Sequence, residues 1–319
     1  MGSAETPTQI PVFDFSSDTQ TLKPGTDAWN NMSRDVCAAI ARFGCFQVAY
    51  DGVPDRLRED MFEAMERVFD LPDETKRRNT SDKPYFGHNG RNEMVPMYES
   101  LGAEDASEID KAKAFTQLLW PEGNDRFCET LNCMSKKLLE LNQMIIKMIF
   151  HGFGVDHKPD AFISDGSNFR VMKYDPPSGD STVVLPPHTD KNTLTILCQQ
   201  DVVQGLEVLV DGADWVPLPP IQGCFVVLAA EMLKAWSNGR IPAAKHRVVL
   251  SPGKEQYSFG LFMLPKWDVV VKAAEELVDE AHPLRYKAFD YMDFIHYMEA
   301  HLLKMVGSNK DMVDVFAGV

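Results

Sequence analysis

The chain has 319 residues, 44% hydrophobic and 25% charged, and carries 32 Lys and Arg against 47 Asp and Glu, for a net charge of −15. That length and balance suit a soluble globular protein with a large core. The acidic surplus, with no basic cluster to offset it, excludes phosphate backbones and anionic membrane surfaces as natural partners. The six cysteines, Cys37, Cys45, Cys128, Cys133, Cys198 and Cys224, show no CxxC spacing and are expected to be reduced, mostly buried thiols. No apolar run reaches the ~18–20 residues of a membrane span. The start lacks a secretory pattern, and Gly2 has no second anchoring signal beside it. The expected location is the cytoplasm.

In chain order, Ile10-Pro-Val-Phe-Asp-Phe15 reads as an opening strand. Val36, Ala39, Ile40 and Phe43 have helical spacing, with Gly44 in the C-terminal capping position. Cys45–Tyr50 reads as a strand. A second helix from Pro54-Asp55 buries Leu57, Met61, Met65 and Val68 and ends before Pro72. Residues 79–107 show no clean period and read as a long loop. After Asn124-Asp125, Leu131, Met134, Leu138, Leu141, Ile145, Met148 and Ile149 form the stripe of a long helix or helix pair, closed by Gly152 and Gly154.

From Asn168 the character changes to strands and turns. Phe169–Tyr174, Thr193–Leu197, Gly205–Val210, Asp214–Leu218, Cys224–Ala229, Arg247–Leu250 and Tyr257–Leu264 all read as strands. Asp211-Gly212 is a hairpin signal, and Pro252-Gly253 joins the last two strands. Many short strands with such turns predict a β-sandwich or jelly roll. A closing helix is expected from Tyr286 to Met305. The organisation is therefore a mainly helical region over 1–155, a β core over 160–270 and a helical tail over 271–319, forming one unit.

The chemistry concentrates in Val184-Leu-Pro-Pro-His-Thr-Asp-Lys-Asn-Thr193. On an extended strand, residues two apart share a face, so His188 and Asp190 project together while Thr189 points away. His246, 56 residues after Asp190, would add a second imidazole. Two nitrogens and one carboxylate on one side of a metal leave positions open, as in non-haem Fe(II) oxygenases. Zinc also accepts two His and a carboxylate. His88, His151, His157, His282, His296 and His301 have no partner at ligand spacing and are given no role.

With these segments in place, the chain resembles the plant-type Fe(II)- and 2-oxoglutarate-dependent dioxygenases over nearly its whole length. Phe43-Gly-Cys-Phe-Gln-Val48, Gly52-Val-Pro54 and Leu71–Lys76 look like the N-terminal signatures. His188-Thr-Asp190, Gly205-Leu-Glu207, Trp215-Val216, Ser237-Asn-Gly-Arg240 and His246-Arg-Val248 follow in family order. Leu22–Thr26 and Trp120–Gly123 look most like the branch acting on specialised metabolites, including glucosinolate side-chain and lignan-tailoring enzymes; the auxin-oxidising branch is related.

The resemblance implies an α+β fold, a distorted double-stranded β-helix (jelly-roll) core with N-terminal helices and a C-terminal helix packed around it. It implies Fe(II) held by His188, Asp190 and His246, with 2-oxoglutarate and O2 as co-substrates and ascorbate as reductant. Decarboxylation to succinate would accompany hydroxylation, desaturation, cyclisation or demethylation of a hydrophobic small molecule.

The family usually holds the distal carboxylate of 2-oxoglutarate with an Arg two residues before a Ser. Ser258 is kept here, but the Arg position is Gln256, which supplies no charge. Tyr174 matches the family tyrosine, Met172 stands where many relatives have Asn, and Arg170 on the same face is a candidate substitute cation. Met94, Tyr98, Phe115, Phe225, Phe262, Leu264, Tyr291 and Phe294 are candidate substrate walls. Alternatives are auxin oxidation, an oxidase that dispenses with 2-oxoglutarate, and a non-catalytic small-molecule binder. A monomer is expected.

Overall fold

The helices form where apolar spacing and capping chemistry coincide. In the computed structural model, which describes residues 9–16, 22–84, 86–155, 166–177, 182–200, 205–265, 269–305 and 310–319 (without the side chains of 302–305), α1 spans Asp27–Phe43. Thr26 caps its start, its hydroxyl accepting from the Trp29 N–H at 3.2 Å. Gly44 ends it at φ +69°, where a Cβ would stand 2.8 Å from the Pro242 carbonyl. Helices α2 (Asp55–Phe69) and α3 (Asp73–Lys76) follow. Helix α4 (Ile109–Leu119) precedes α5 (Asp125–Gly152), a single helix of 28 residues capped by Asn124. No helix among the described residues is long and apolar enough to cross a membrane; Gly2 and His157 lie outside the described residues.

Two sheets carry the rest. The larger has seven strands in the order β1-β2-β9-β6-β11-β4-β3 and the smaller four, β5-β10-β7-β8. Their ranges are β1 Val12–Asp14, β2 Cys45–Ala49, β3 Tyr98–Glu104, β4 Ser167–Tyr174, β5 Val183–His188, β6 Leu194–Gln199, β7 Leu206–Val210, β8 Asp214–Pro217, β9 Cys224–Ala229, β10 His246–Val249 and β11 Gln256–Met263. From β4 to β11 the chain alternates between the two sheets, pausing only at the β7–β8 hairpin, whose turn holds Asp211 and Gly212 at positive φ.

The inner faces meet in one apolar cluster, with Met172, Tyr174, Leu197, Val226 and Leu228 from the larger sheet and Val184, Leu206, Val208 and Val248 from the smaller. The outer face of the larger sheet, through Phe169, Val171, Ile196, Phe225, Val227, Phe259 and Leu261, packs on the helices in a second, larger core. The fold is thus mixed α+β.

Two expectations are corrected. Residues 79–107 are not one loop, because β3 pairs along its whole length with β4. Six of its seven residues are buried, so both faces are covered and no alternation shows in the sequence. That strand joins β1 and β2, so residues 1–155 supply three strands of the larger sheet beside helices α1 to α5. The Pro252-Gly253 segment is no hairpin, since β10 and β11 lie in different sheets and the chain crosses between them. At the C-terminus a short strand β13 (Phe289–Asp290), paired with β12 (Val270–Val271), precedes α7 (Tyr291–Met305). Asp290 caps α7 by accepting from Met292 N–H at 2.8 Å, and α8 (Met312–Phe316) follows.

Candidate metal centre

His188 ends β5 and stands directly opposite His246, the first residue of β10. Between this pair and Val248↔Leu185 the register slips by a residue, an irregularity that takes up Pro186 and Pro187 and re-aims the side chain beyond it. The two imidazole rings are 4.2 Å apart. Each donates its Nδ1–H to the carbonyl two residues back: His188 to Pro186 at 2.9 Å, His246 to Ala244 at 3.0 Å. Both Nε2 atoms are thereby left as the nitrogens that could hold a metal. Desolvation first, and then the facing His246 ring, lower the His188 pKa and hold its imidazole neutral.

Asp190 lies beyond the end of β5, in a loop, so strand alternation is not what brings it to His188. Its Oδ1 is 3.9 Å from His188 Nε2, while its Oδ2 accepts from the Thr195 hydroxyl at 2.7 Å. Thr189 points the other way, as expected, and donates to Glu231 at 2.5 Å. One ligand atom from each of His188, Asp190 and His246 lies within 4.8 Å of the others. Two imidazole nitrogens and one carboxylate oxygen, each oriented from behind, fit a divalent transition metal with open positions. Among the described residues this is the one such grouping of His, Cys, Asp or Glu.

Further along the inner face, Tyr174 on β4 is the register partner of Gln256 on β11, and Ser258 that of Met172. Ser258 Oγ donates to Tyr174 Oη at 3.4 Å, and the Tyr98 ring lies 5.3 Å from that of Tyr174. Burial raises the Tyr174 pKa, so its phenol keeps its proton. Gln256 is buried, with its side-chain oxygen only 2.5 Å from where a Cβ on Gly205 would stand.

Arg170 shares the face but not the cluster. It pairs with Gly260 and Gly102, two residues along from the Met172–Ser258 pair, and its guanidinium donates to Ser100 Oγ at 2.5 Å and the Gly87 carbonyl at 3.2 Å. Gly102 must be glycine, because a Cβ there would fall 2.0 Å from the Phe86 carbonyl and 2.9 Å from Arg170 Nη1.

The candidate substrate walls divide. Tyr98 and Phe262 stand at the inner cluster, with half-buried Val95, Met97 and Leu185 beside them, and Met94 is exposed. Phe225 points to the outer face, under the Arg58 guanidinium, because it is one residue out of phase with Val226. Phe115 packs on Phe127 between helices. Leu264 lies past the end of β11 and, unlike Phe262, joins the helix-facing core. Tyr291 and Phe294 are buried in that same core, the latter against Phe289 and Phe316. Beyond Gly87, a cleft of about 440 Å3 between residues 77–89 and Glu299 of α7 is lined by Arg77, Lys83, His88 and Asn89. Its lining residues are mostly polar or charged, so it is not the apolar, aromatic pocket expected from the sequence.

Thr195, Glu231 and the Lys191–Glu231 pairing escaped sequence reasoning. Nothing in the spacing marks these contacts, because only the fold brings β6 and the start of the helix after β9 against the 189–191 segment. The six cysteines are unbridged, as expected, though Cys133 is exposed. Of the histidines given no role, His88 is bound to the buried Glu99 at 2.9 Å.

Comparison with known proteins agrees with this geometry. The family model of the 2OG-Fe(II) oxygenase superfamily matches residues 166–265, and that of the non-haem dioxygenase in morphine synthesis N-terminal region matches residues 10–122. An Arabidopsis thaliana protein named probable 2-oxoglutarate-dependent dioxygenase AOP1 is 40% identical over 300 residues, 91% of each chain. Among solved structures, the dioxygenase for auxin oxidation of rice superposes with a TM-score of 0.79 at 30% identity, covering 97% of this chain and all of that one. The Arabidopsis dioxygenase for auxin oxidation 1, in its binary complex with 2-oxoglutarate, gives 0.78 at 27%, covering 86% of this chain and all of that one. A triad of two histidines and an aspartate between two facing sheets, and a likeness spanning both halves of the sequence, place this chain in the 2OG-Fe(II) oxygenase superfamily, as an oxidoreductase that uses iron and 2-oxoglutarate.

Proposed function

We propose that the chain oxidises an apolar small molecule of plant specialised metabolism, with His188, Asp190 and His246 as the iron ligands. The observation that carries this is the convergence of those three side chains on the inner face that also bears Tyr174, Ser258 and Gln256. The alternation of β4–β11 between the sheets supports reading the core as a distorted double-stranded β-helix and residues 1–319 as one oxygenase unit. We read it as a monomeric cytoplasmic enzyme with ascorbate as its reductant.

Iron held there supplies oxygen activation coupled to decarboxylation of 2-oxoglutarate. The protein's own part is positioning. The Nδ1–H bonds of both histidines fix ring tautomer and direction, and Thr195 occupies one oxygen of Asp190 so that the other ligates. Protonated Tyr174, Ser258 and the Gln256 amide offer hydrogen bonds to the distal carboxylate of 2-oxoglutarate, and Arg170 is the nearby buried cation. Replacing a charged donor by an amide costs about 1.5–3 kcal/mol, roughly 10–150-fold in affinity, so 2-oxoglutarate binding is weak for the family. Tyr98 and Phe262 form the apolar wall for substrate.

The test is anaerobic reconstitution with Fe(II) and 2-oxoglutarate, followed by oxygen and a panel of apolar substrates, with succinate measured beside oxidised product. Coupled succinate and product are expected. Product without succinate selects an oxidase independent of 2-oxoglutarate, and no turnover across the panel selects a binder. The likeness to the rice structure favours one second reading, auxin oxidation, so indole-3-acetate belongs in the panel.

A further inference from the structure

Asp190 is the one ligand without a strand beneath it, so something else must hold its loop. That role falls to Glu231 at the start of α6 (Glu231–Trp236). Its carboxylate is fully buried. One oxygen accepts from Thr189 Oγ1 at 2.5 Å and pairs with Lys191 Nζ at 2.8 Å, which are the two residues flanking Asp190. The Glu231 N–H donates to the Asp190 carbonyl at 3.0 Å, and Met232 N–H to that of Asn192 at 3.1 Å. The other carboxylate oxygen faces away and accepts from the backbone N–H of Val313 in α8 at 2.7 Å. One turn further along α6, Lys234 pairs with Asp311 at 2.5 Å and Asp314 at 2.8 Å. Tyr286 donates to Asp314 at 2.7 Å.

A buried carboxylate needs all its partners, because each one lost leaves charge poorly solvated. The seating of α8 and the shape of the ligand loop therefore share one set of bonds. We propose that Glu231 is a positioning residue for Asp190, through which the docking of the C-terminal helix α8 sets the metal affinity of the His188–Asp190–His246 site. The inference rests on the triad being the metal site, and the test separates the two.

In the full-length chain, Thr189→Val removes one donor at nearly constant volume, Thr189→Ser keeps the hydroxyl, and Glu231→Gln removes the charge. Co(II), an oxygen-stable stand-in for Fe(II), is titrated by its visible absorption. Metal-free thermal midpoints and hydrogen exchange at residues 311–318 are measured alongside. Thr189→Val and Glu231→Gln are expected to weaken Co(II) binding by about 10–100-fold, while Thr189→Ser stays near wild type. Because coupling is reciprocal, Co(II) should slow exchange at 311–318.

Unchanged Co(II) affinity in Thr189→Val, with affinity lost in His246→Ala, overturns the proposal but leaves the triad standing. Wild-type affinity in His246→Ala overturns the triad and the proposal with it. Exchange at 311–318 indifferent to Co(II) overturns the part played by α8. If Glu231→Gln does not fold, the Thr189 pair decides.

Discussion

Thr195 decides how Asp190 can ligate. Its hydroxyl holds Oδ2 at 2.7 Å, and without it the carboxylate is free to turn. Thr195→Val is expected to weaken Fe(II) binding by about 10–100-fold, measured by metal titration, with little change in the metal-free thermal midpoint. At Gln256, restoring the charge is expected to tighten 2-oxoglutarate: Gln256→Arg should lower its apparent Michaelis constant by roughly tenfold or more. An unchanged constant would show that the distal carboxylate is held elsewhere, and Arg170 is then the residue to replace. That His188, Asp190 and His246 come together was legible from order and spacing, but the reason first given for Asp190, strand alternation, was not the operative one. Its position comes from a loop stitched to α6, and loop stitching leaves no period in a sequence. The aromatic residues misled for a related cause: Phe225 and Phe262 look alike as residues, and only strand phase tells the outer face from the inner.

Elements with one buried stripe and marked ends could be read directly. Helices α1, α2 and α5 lie where apolar spacing put them, and Gly44 closes α1 at φ +69°. Gly44→Ala must bear a left-handed backbone, worth about 1–2 kcal/mol, and a Cβ only 2.8 Å from the Pro242 carbonyl. A thermal midpoint lower by several degrees is expected by calorimetry, with the metal site unchanged. Helix α4 was missed although Ala112, Phe115, Thr116 and Leu119 have helical spacing; its stripe is short and half of it is small or polar. Strand β3 was hidden more thoroughly, since burial on both faces erases alternation and Glu99 interrupts the apolar run.

Across the whole molecule the acidic surplus is not spread evenly over solvent. Glu99 is buried and takes Lys76 at 2.9 Å, His88 at 2.9 Å and Arg91 at 2.7 Å, while Arg91 also reaches Asp175. This knot ties α3 and residues 88–91 to the edge of the larger sheet. Burial alone would raise the Glu99 pKa, but the bonds from His88 and Lys76 and the nearby positive charges outweigh it and bring it down to about 2 from 4.5. A carboxylate depressed in the folded state stabilises above its unfolded pKa, and that contribution is lost as pH falls from about 4.5 to about 2. Glu99→Gln is expected to lower stability at neutral pH and to flatten the acid limb of the unfolding profile in that window, followed by circular dichroism. The smaller sheet has its own margin at the edge strand β5, which carries the exposed Pro186 and Pro187 just before His188. Proline has no N–H to offer an incoming chain. That border is therefore closed to strand addition by a neighbouring copy, and the iron-free enzyme should remain monodisperse in light scattering rather than polymerise edge to edge.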